Sequence, residues 1–188
     1  RADESLMHLL LDLGADPFIP NAELSTPLMA AAGLGTSAPE EEAGTEAEAA
    51  TATQLLLDLG ADIDAVNRVV YENINNGVYR TGFATSQEAY EASYNKLFGA
   101  LDEMEARLEN RRYLTGPRIT EADWRLYPTL LRFDIVYYHL FKCNHRRIAD
   151  YPNLFNYLRE LHQVPGVAAM VNLDDIKNGL ETSVDCGG

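Results

Sequence analysis

The sequence predicts an all-α protein, with a short helix–turn–helix segment over residues 1–62 and a helical bundle over residues 63–188. Three observations carry that expectation. Between Ser86 and Asn110, the apolar residues Tyr90, Tyr94, Leu97, Leu101, Met104 and Leu108 recur at alternating spacings of four and three, which lines them along one helix face. Beyond residue 63, no stretch alternates with the period of two that a half-buried strand requires. The octapeptide Leu9-Leu-Leu-Asp-Leu-Gly-Ala-Asp16 returns letter for letter as Leu55-Leu-Leu-Asp-Leu-Gly-Ala-Asp62, an internal repeat.

Taken in chain order, each copy of the repeat reads as a leucine-rich helix closed by a glycine. Gly14 and Gly60 both suit the left-handed position just past a helix end. Ser25-Thr-Pro-Leu-Met-Ala-Ala-Ala32 starts another helix, with Pro27 in its first turn and small alanines that permit close packing. Residues 37–49 are acidic and poor in apolar side chains, the pattern of a solvated loop or a helix extension. Thr85 or Ser86 caps the long helix that follows, with Glu88 and Glu91 near its positive end. Gly99 weakens the middle of that helix by about 1 kcal/mol unless another backbone packs there. Thr120-Glu-Ala-Asp123 has the spacing of a capping box, flanked by Ile119 and Trp124 as a hydrophobic staple. Pro128 is expected to interrupt and kink this helix. A third helix begins at Asp150-Tyr-Pro152 and carries Leu154, Phe155, Leu158 and Leu161, and a fourth begins at Val164-Pro-Gly-Val167.

Composition separates the same two parts. The chain has 188 residues and a net charge of −14, which argues against a nucleic-acid or anionic-membrane partner. Residues 1–68 hold two basic and 13 acidic side chains, whereas the rest hold 13 and 16. All ten tyrosines and the single tryptophan lie beyond residue 70. Two cysteines, Cys143 and Cys186, make no disulfide scaffold and suggest a reducing, cytoplasmic setting. No apolar run reaches the ~20 residues of a membrane span.

Thr26-Pro-Leu28 with Ala30 and Ala31, and Gly14-Ala-Asp16 as a repeat end, resemble the ankyrin repeat. The repeat offset of 46 exceeds that family's period of about 33, and the surplus falls in the acidic stretch 37–49. The resemblance covers one full repeat and a neighbouring helix, fewer than the three or so repeats that close a solenoid core. It implies a protein partner bound through loops and a concave face.

Gly116-Pro-Arg-Ile-Thr-Glu-Ala-Asp-Trp124 is similar to the helix-capping segment of the glutathione-transferase C-terminal domain. Tyr71-Glu-Asn-Ile-Asn-Asn-Gly-Val-Tyr-Arg-Thr-Gly-Phe-Ala84, Arg132-Phe-Asp134, Phe141-Lys-Cys-Asn144 and Arg147-Ile-Ala-Asp-Tyr-Pro-Asn-Leu154 narrow the likeness. In that order, from about Ile63 to Lys177, they resemble the glutathionyl-hydroquinone reductases, the xi class of the superfamily. The fold expected is thus a glutathione-transferase C-terminal-type helical bundle preceded by an ankyrin-like fragment.

That resemblance implies glutathione as co-substrate and a small aromatic glutathione conjugate as ligand. A reactive cysteine in a thioredoxin-like domain attacks the conjugate's sulfur, and a second glutathione regenerates the enzyme. Tyrosines of the helical domain orient and protonate the aromatic ring. Tyr79 is the position implied as catalytic, and Tyr137 as a substrate-binding wall. A homodimer built through the helical domain is also implied.

The sequence departs from the family's pattern in three places. It holds no Cys-Pro motif and no strand–helix alternation before residue 63, so the chain by itself is expected to lack the family's reaction. Cys143 falls in a segment distant from the nucleophile and reads as a buried thiol, and Cys186 as a tail residue without function. Ile176-Lys-Asn-Gly-Leu-Glu181 stands where the family has a histidine and paired tyrosines. Ile63-Asp-Ala-Val-Asn67 fits both neighbouring patterns, which suggests a recombined or chimeric chain. The competing reading is an ankyrin-type interaction module fused to a helical bundle. His139, Cys143 and His145 lack a fourth metal ligand at diagnostic spacing, so no metal centre is expected. Arg111, Arg112, Arg118, Arg125, Lys142, Arg146 and Arg147 read mainly as helix-end and surface charges rather than as an anion site.

Overall fold

A computed structural model describes residues 3–22, 24–32 and 45–181. It is helical throughout, with no strand among the described residues beyond one isolated bridge between Tyr113 and Gly116. Among those residues no helix is long and apolar enough to cross a membrane. The chain divides into two compact units, residues 1–64 and 65–188.

In the first unit, Asp3 caps α1 (Glu4–Asp12) by accepting the Leu6 N–H at 3.1 Å. The helix ends as expected at Gly14, with φ of +91°. Thr26 Oγ1 caps α2 (Pro27–Ala31) by accepting the Met29 N–H at 3.2 Å, with Pro27 at the first position. No residue of either helix is buried, and Leu13 is 75% exposed.

The second copy of the octapeptide behaves differently. It lies wholly inside α3 (Glu46–Val69), and Gly60 ends no helix. The residues that follow each copy decide this. After the first copy comes Pro17, which lacks an N–H and disfavours a helical Asp16. After the second comes Ile63-Asp-Ala-Val66, which propagates the helix. The helix start also lies earlier than the repeat pattern implies. Thr45 Oγ1 accepts the Glu48 N–H at 3.3 Å, while Glu48 Oε2 accepts the Thr45 N–H at 2.7 Å, a reciprocal capping box. The acidic stretch thus ends as a helix extension, and its portion over 37–44 lies outside the described residues.

The second unit is a bundle around α5 (Gln87–Arg107). Ser86 caps it, accepting the Ala89 N–H at 3.2 Å, and Leu97, Leu101, Met104 and Leu108 are buried as the spacing predicts. Gly99 is exposed, and no atom lies within 4 Å of where its Cβ would be, so nothing packs there to offset its helix-weakening effect. The backbone leaving α3 widens into a π-helical segment, π1 (Val70–Asn75), before α4 (Asn76–Gly82). A second such segment, π2 (Phe133–Tyr137), follows α6 (Glu121–Arg132) and leads into the single turn α7 (Tyr138–Leu140). Helix α8 (Pro152–His162) packs on α5 and α6. Glu105 of α5 supplies its missing N-terminal acceptors, taking the Asn153 N–H at 2.9 Å and the Leu154 N–H at 2.8 Å.

Two expectations need correction. Helix α6 runs through Pro128 without interruption to Arg132. Pro128 is exposed, so its ring and the hydrogen bond it forgoes fall on the outer side of the helix. Val164-Pro-Gly-Val167 begins no helix, because Gly166 takes φ of +91° and turns the chain. A 3₁₀ turn (Ala168–Met170) and α9 (Leu173–Glu181) follow.

Asp123 organises this unit. It is fully buried. Its Oδ2 accepts the Thr120 N–H at 2.7 Å and the Thr120 hydroxyl at 3.0 Å, closing the start of α6. Its Oδ1 accepts the Leu114 N–H at 3.0 Å and the Tyr157 hydroxyl at 2.8 Å, which ties in the 113–120 loop and α8. A carboxylate in that position holds four donors at once, which offsets the cost of burying it. Asp123→Asn should lower unfolding free energy in urea by about 2–4 kcal/mol, and Tyr157→Phe by about 1–2 kcal/mol. The double variant should cost clearly less than the two added, because both residues belong to one hydrogen-bond network.

Candidate functional site

The second unit contains a cavity of about 720 Å³, bounded by α4, α6, π2 and the segment leading through the 3₁₀ turn to α9. Its position follows from a second pattern on α6. One face of that helix, through Ala122, Leu126, Thr129 and Leu130, is buried in the bundle. A second, through Trp124, Tyr127, Pro128 and Leu131, lines the cavity. These residues stand at i, i+3, i+4 and i+7, so they share one side of the helix. Trp124 meets Tyr127 edge-on with ring centroids 5.9 Å apart.

Tyr79 and Tyr137 both line this cavity, although 58 residues separate them. Their hydroxyl oxygens lie 3.2 Å apart and their rings meet edge-on at 5.7 Å. A π segment sets each of them. In π1 the Asn76 N–H reaches back to the Tyr71 carbonyl, and in π2 the Tyr138 N–H reaches the Phe133 carbonyl, each spanning five residues. The wider turns rotate the following helix face relative to an α-helix, a device often found where side chains must converge. Asn75 anchors π1 to α6, donating to the Arg125 carbonyl at 3.1 Å and to Thr129 Oγ1 at 2.6 Å.

Aromatic packing holds Tyr79 from behind. Phe141 meets the Tyr79 ring at 5.5 Å and the Phe83 ring at 5.2 Å. Gly82 permits this, since a Cβ there would overlap the Phe141 ring.

The two phenols sit in unlike surroundings. Tyr79 is 47% exposed, whereas Tyr137 is 5% exposed. Burial pushes the Tyr137 phenol well above its ordinary pKa, and its bond to Tyr79 adds to that, while the Arg132 guanidinium acts the other way. Tyr137 is therefore a proton-bearing group at any ordinary pH, able to donate toward Tyr79. Tyr127 is also raised by burial, with Arg132 again opposing, and its hydroxyl lies 2.8 Å from His162 Nδ1.

Cys143 lies buried beside this group, and burial pushes its thiol up to about 12, which keeps it protonated and a poor nucleophile. Cys186 lies outside the described residues. Among the described residues no three His, Cys, Asp or Glu side chains converge as a metal site. His139 and His145 are exposed, and the His145 ring packs edge-on against Phe98 at 5.2 Å. The basic residues disperse into separate contacts. Arg112 bonds Glu160 at 2.7 Å, Arg125 pairs with Glu121, and Arg146 lies 3.9 Å over the Tyr151 ring.

Sequence reasoning singled out Tyr79 and Tyr137, which line the cavity, but not the Trp124–Tyr127–Leu131 wall, Arg132, or Asp175 with Ile176 on α9, which line it too. The wall was detectable in principle, as a second period-3.6 stripe offset from the core stripe of the same helix.

Residues 87–160 match the family model for the glutathione S-transferase C-terminal domain. The chain is 52% identical over 120 residues to the glutathionyl-hydroquinone reductase YqjG of Escherichia coli, spanning 64% of this chain and 37% of that protein. It is 54% identical over 116 residues to the glutathionyl-hydroquinone reductase PcpF of Sphingobium chlorophenolicum, covering 62% of this chain and 37% of that one. The glutathione-bound structure of YqjG superposes with a TM-score of 0.64 at 50% identity, covering 65% of this chain and 40% of that one. The likeness to a glutathione S-transferase C-terminal domain thus lies in residues 87–160, and the chain spans well under half the length of these relatives.

The Cys143 geometry has a consequence for stability. The unfolded thiol loses its proton near pH 9, whereas the folded one keeps it until about pH 12. Above pH 9 the folded state therefore binds more protons than the unfolded state, and stability falls as pH rises. The stabilisation is fully present below pH 9 and is lost toward pH 12. Urea unfolding between pH 8 and 10 should show the parent chain losing up to ~1.4 kcal/mol per pH unit more than Cys143→Ala. Parallel curves would mean that the thiol titrates alike in both states.

Proposed function

We propose that residues 65–188 form the aromatic-substrate half of a glutathionyl-hydroquinone-reductase-type enzyme. The reading rests on one observation: two phenol hydroxyls from different helices meet 3.2 Å apart on the wall of a cavity faced with tryptophan, tyrosine and aliphatic side chains. Such a cavity suits a flat ring bearing hydroxyls, with dispersion along its faces and hydrogen bonds at its edge.

In the reaction this implies, a thiolate attacks the sulfur of the glutathionyl-hydroquinone and a sulfur–sulfur bond forms as the carbon–sulfur bond breaks. The ring carbon then takes a proton, and a second glutathione releases disulfide glutathione. In this reading Tyr79, the more exposed phenol, supplies that proton. Tyr137 acts as a substrate-binding wall and hydrogen-bonds the Tyr79 oxygen as its proton leaves. The attacking thiolate is not Cys143, which is buried and protonated. It belongs to a thioredoxin-like domain, so this chain alone binds the aromatic part and does not turn it over.

Trp124 is the only tryptophan and lines the cavity, so its fluorescence reports occupancy directly. A glutathionyl-hydroquinone should change Trp124 emission saturably, and Tyr79→Phe should weaken that binding roughly three- to tenfold for one lost hydrogen bond. No change in emission, or clear turnover by the unsupplemented chain, would contradict the reading.

A second reading concerns residues 1–62, as an ankyrin-type segment that binds a protein partner. The observation favouring it is the leucine row of α1, whose Leu6, Leu9, Leu10 and Leu13 are all exposed. Limited proteolysis should then cut this segment first in the free chain, and a bound partner should slow that cut at least tenfold. Equal resistance of both units in the free chain would count against it.

A further inference from the structure

The cavity wall is mostly apolar and aromatic, with the Asn172 amide and two charged side chains, Arg132 and Asp175. Arg132 sits on the last turn of α6, half-buried, between the cavity's two buried phenols in the chain, Tyr127 and Tyr137. Its charge favours the ionised form of both, which places the guanidinium's field within the cavity. Among the described residues a single hydrogen bond engages it, from Nη1 to the Pro128 carbonyl at 3.1 Å. A guanidinium has five N–H donors in a planar fork, so most of its capacity stays open. Arg132 and Asp175 form no ion pair with each other. This contrasts with Arg112 and Arg125, which are paired with Glu160 and Glu121.

We propose that Arg132 makes this cavity selective for aromatic ligands that carry a negatively charged oxygen, an aryl carboxylate or a phenolate, over neutral rings of the same shape. The aromatic and aliphatic wall supplies ring affinity without regard to charge. Arg132 adds a charge-assisted bond of the kind that planar oxyanions form with a guanidinium fork. The chain's net charge of −14 opposes anions at long range. At physiological salt that repulsion is screened within ~8 Å, whereas a direct contact inside a half-closed cavity is not. Asp175, exposed on α9 at the same cavity, limits the preference. The proposal rests on the cavity being a ligand site but not on the identity of the glutathione conjugate.

The test compares 1-naphthoate with 1-naphthamide, which share a ring system and differ in charge, by equilibrium dialysis against the full chain at physiological salt. The parent chain should bind the naphthoate roughly tenfold more tightly, about the worth of one charge-assisted hydrogen bond at a partly exposed site. Arg132→Gln should abolish that difference and leave naphthamide affinity within about twofold, and Arg132→Lys should restore part of it. Asp175→Asn should widen it. The lysine and asparagine variants carry the comparison if the glutamine variant folds poorly. Equal affinity for the two ligands in the parent chain, or a preference that survives Arg132→Gln, overturns the role of Arg132 alone. Failure of both ligands to bind overturns the cavity reading together with it. Arg132-dependent naphthoate binding without a glutathionyl-hydroquinone response at Trp124 overturns the proposed function and leaves this inference standing.

Discussion

A buried carboxylate cannot be left unsatisfied, and the way Asp123 is satisfied constrains much of the bundle. Its two oxygens collect donors from the loop at Leu114, from the cap residue Thr120 and from Tyr157 on α8. Two of these places lie just ahead of Asp123 in the chain and the third 34 residues beyond it, so one buried carboxylate sets the start of α6, the path of the preceding loop and the docking of α8. The site depends on that arrangement, because α6 carries Trp124, Tyr127 and Arg132 on its cavity side. A carboxylate on α5 plays a similar part for the next element, where Glu105 accepts the first free N–H groups of α8. Asp134 in π2 does so again, accepting the Ile148 N–H at 2.6 Å. Acidic side chains thus serve in this unit as internal caps, where the positive end of a helix or turn favours them.

The candidate site sits where regular helix geometry is relaxed. Tyr79 follows one π segment and Tyr137 closes another. With ideal α-helical turns the same residues would point along other directions, since a widened turn shifts every later side chain around the axis. The packing behind Tyr79 leaves little slack, because Phe141 occupies the space that any side chain at Gly82 would need. The result is an exposed phenol held against Phe83, Phe141 and Tyr137, beside a second phenol that is itself buried. The separate roles proposed for the two tyrosines rest on that difference in exposure.

The repeated octapeptide shows how much a local reading can carry. Its first copy ends at Gly14 in the left-handed conformation, and its second runs on through Gly60 as continuous helix. Glycine permits a stop but does not impose one, and Pro17 imposes it in the first copy. The capping box at Thr45 and Glu48 was also present as letters, although the acidic stretch obscured it. Pro128 shows the reverse case. Proline normally breaks a helix interior, yet α6 continues through it, because the rest of the helix is fastened at its start by Asp123 and along its buried face by the bundle.

What the sequence determined by itself was the class of structure and its main helices, because apolar spacing, caps and turn residues act over a few neighbouring positions. The stripe of α5, the cap at Ser86, the Thr120–Asp123 pairing and the proline start of α8 were all legible for that reason. Tyr79 and Tyr137 could be singled out as residues, but their meeting could not be read from the chain. Only tertiary structure decided that their hydroxyls would lie 3.2 Å apart and that Arg132 would face a cavity. Each of those facts depends on helix direction and on contacts between segments distant in the chain, which spacing along a single helix does not encode.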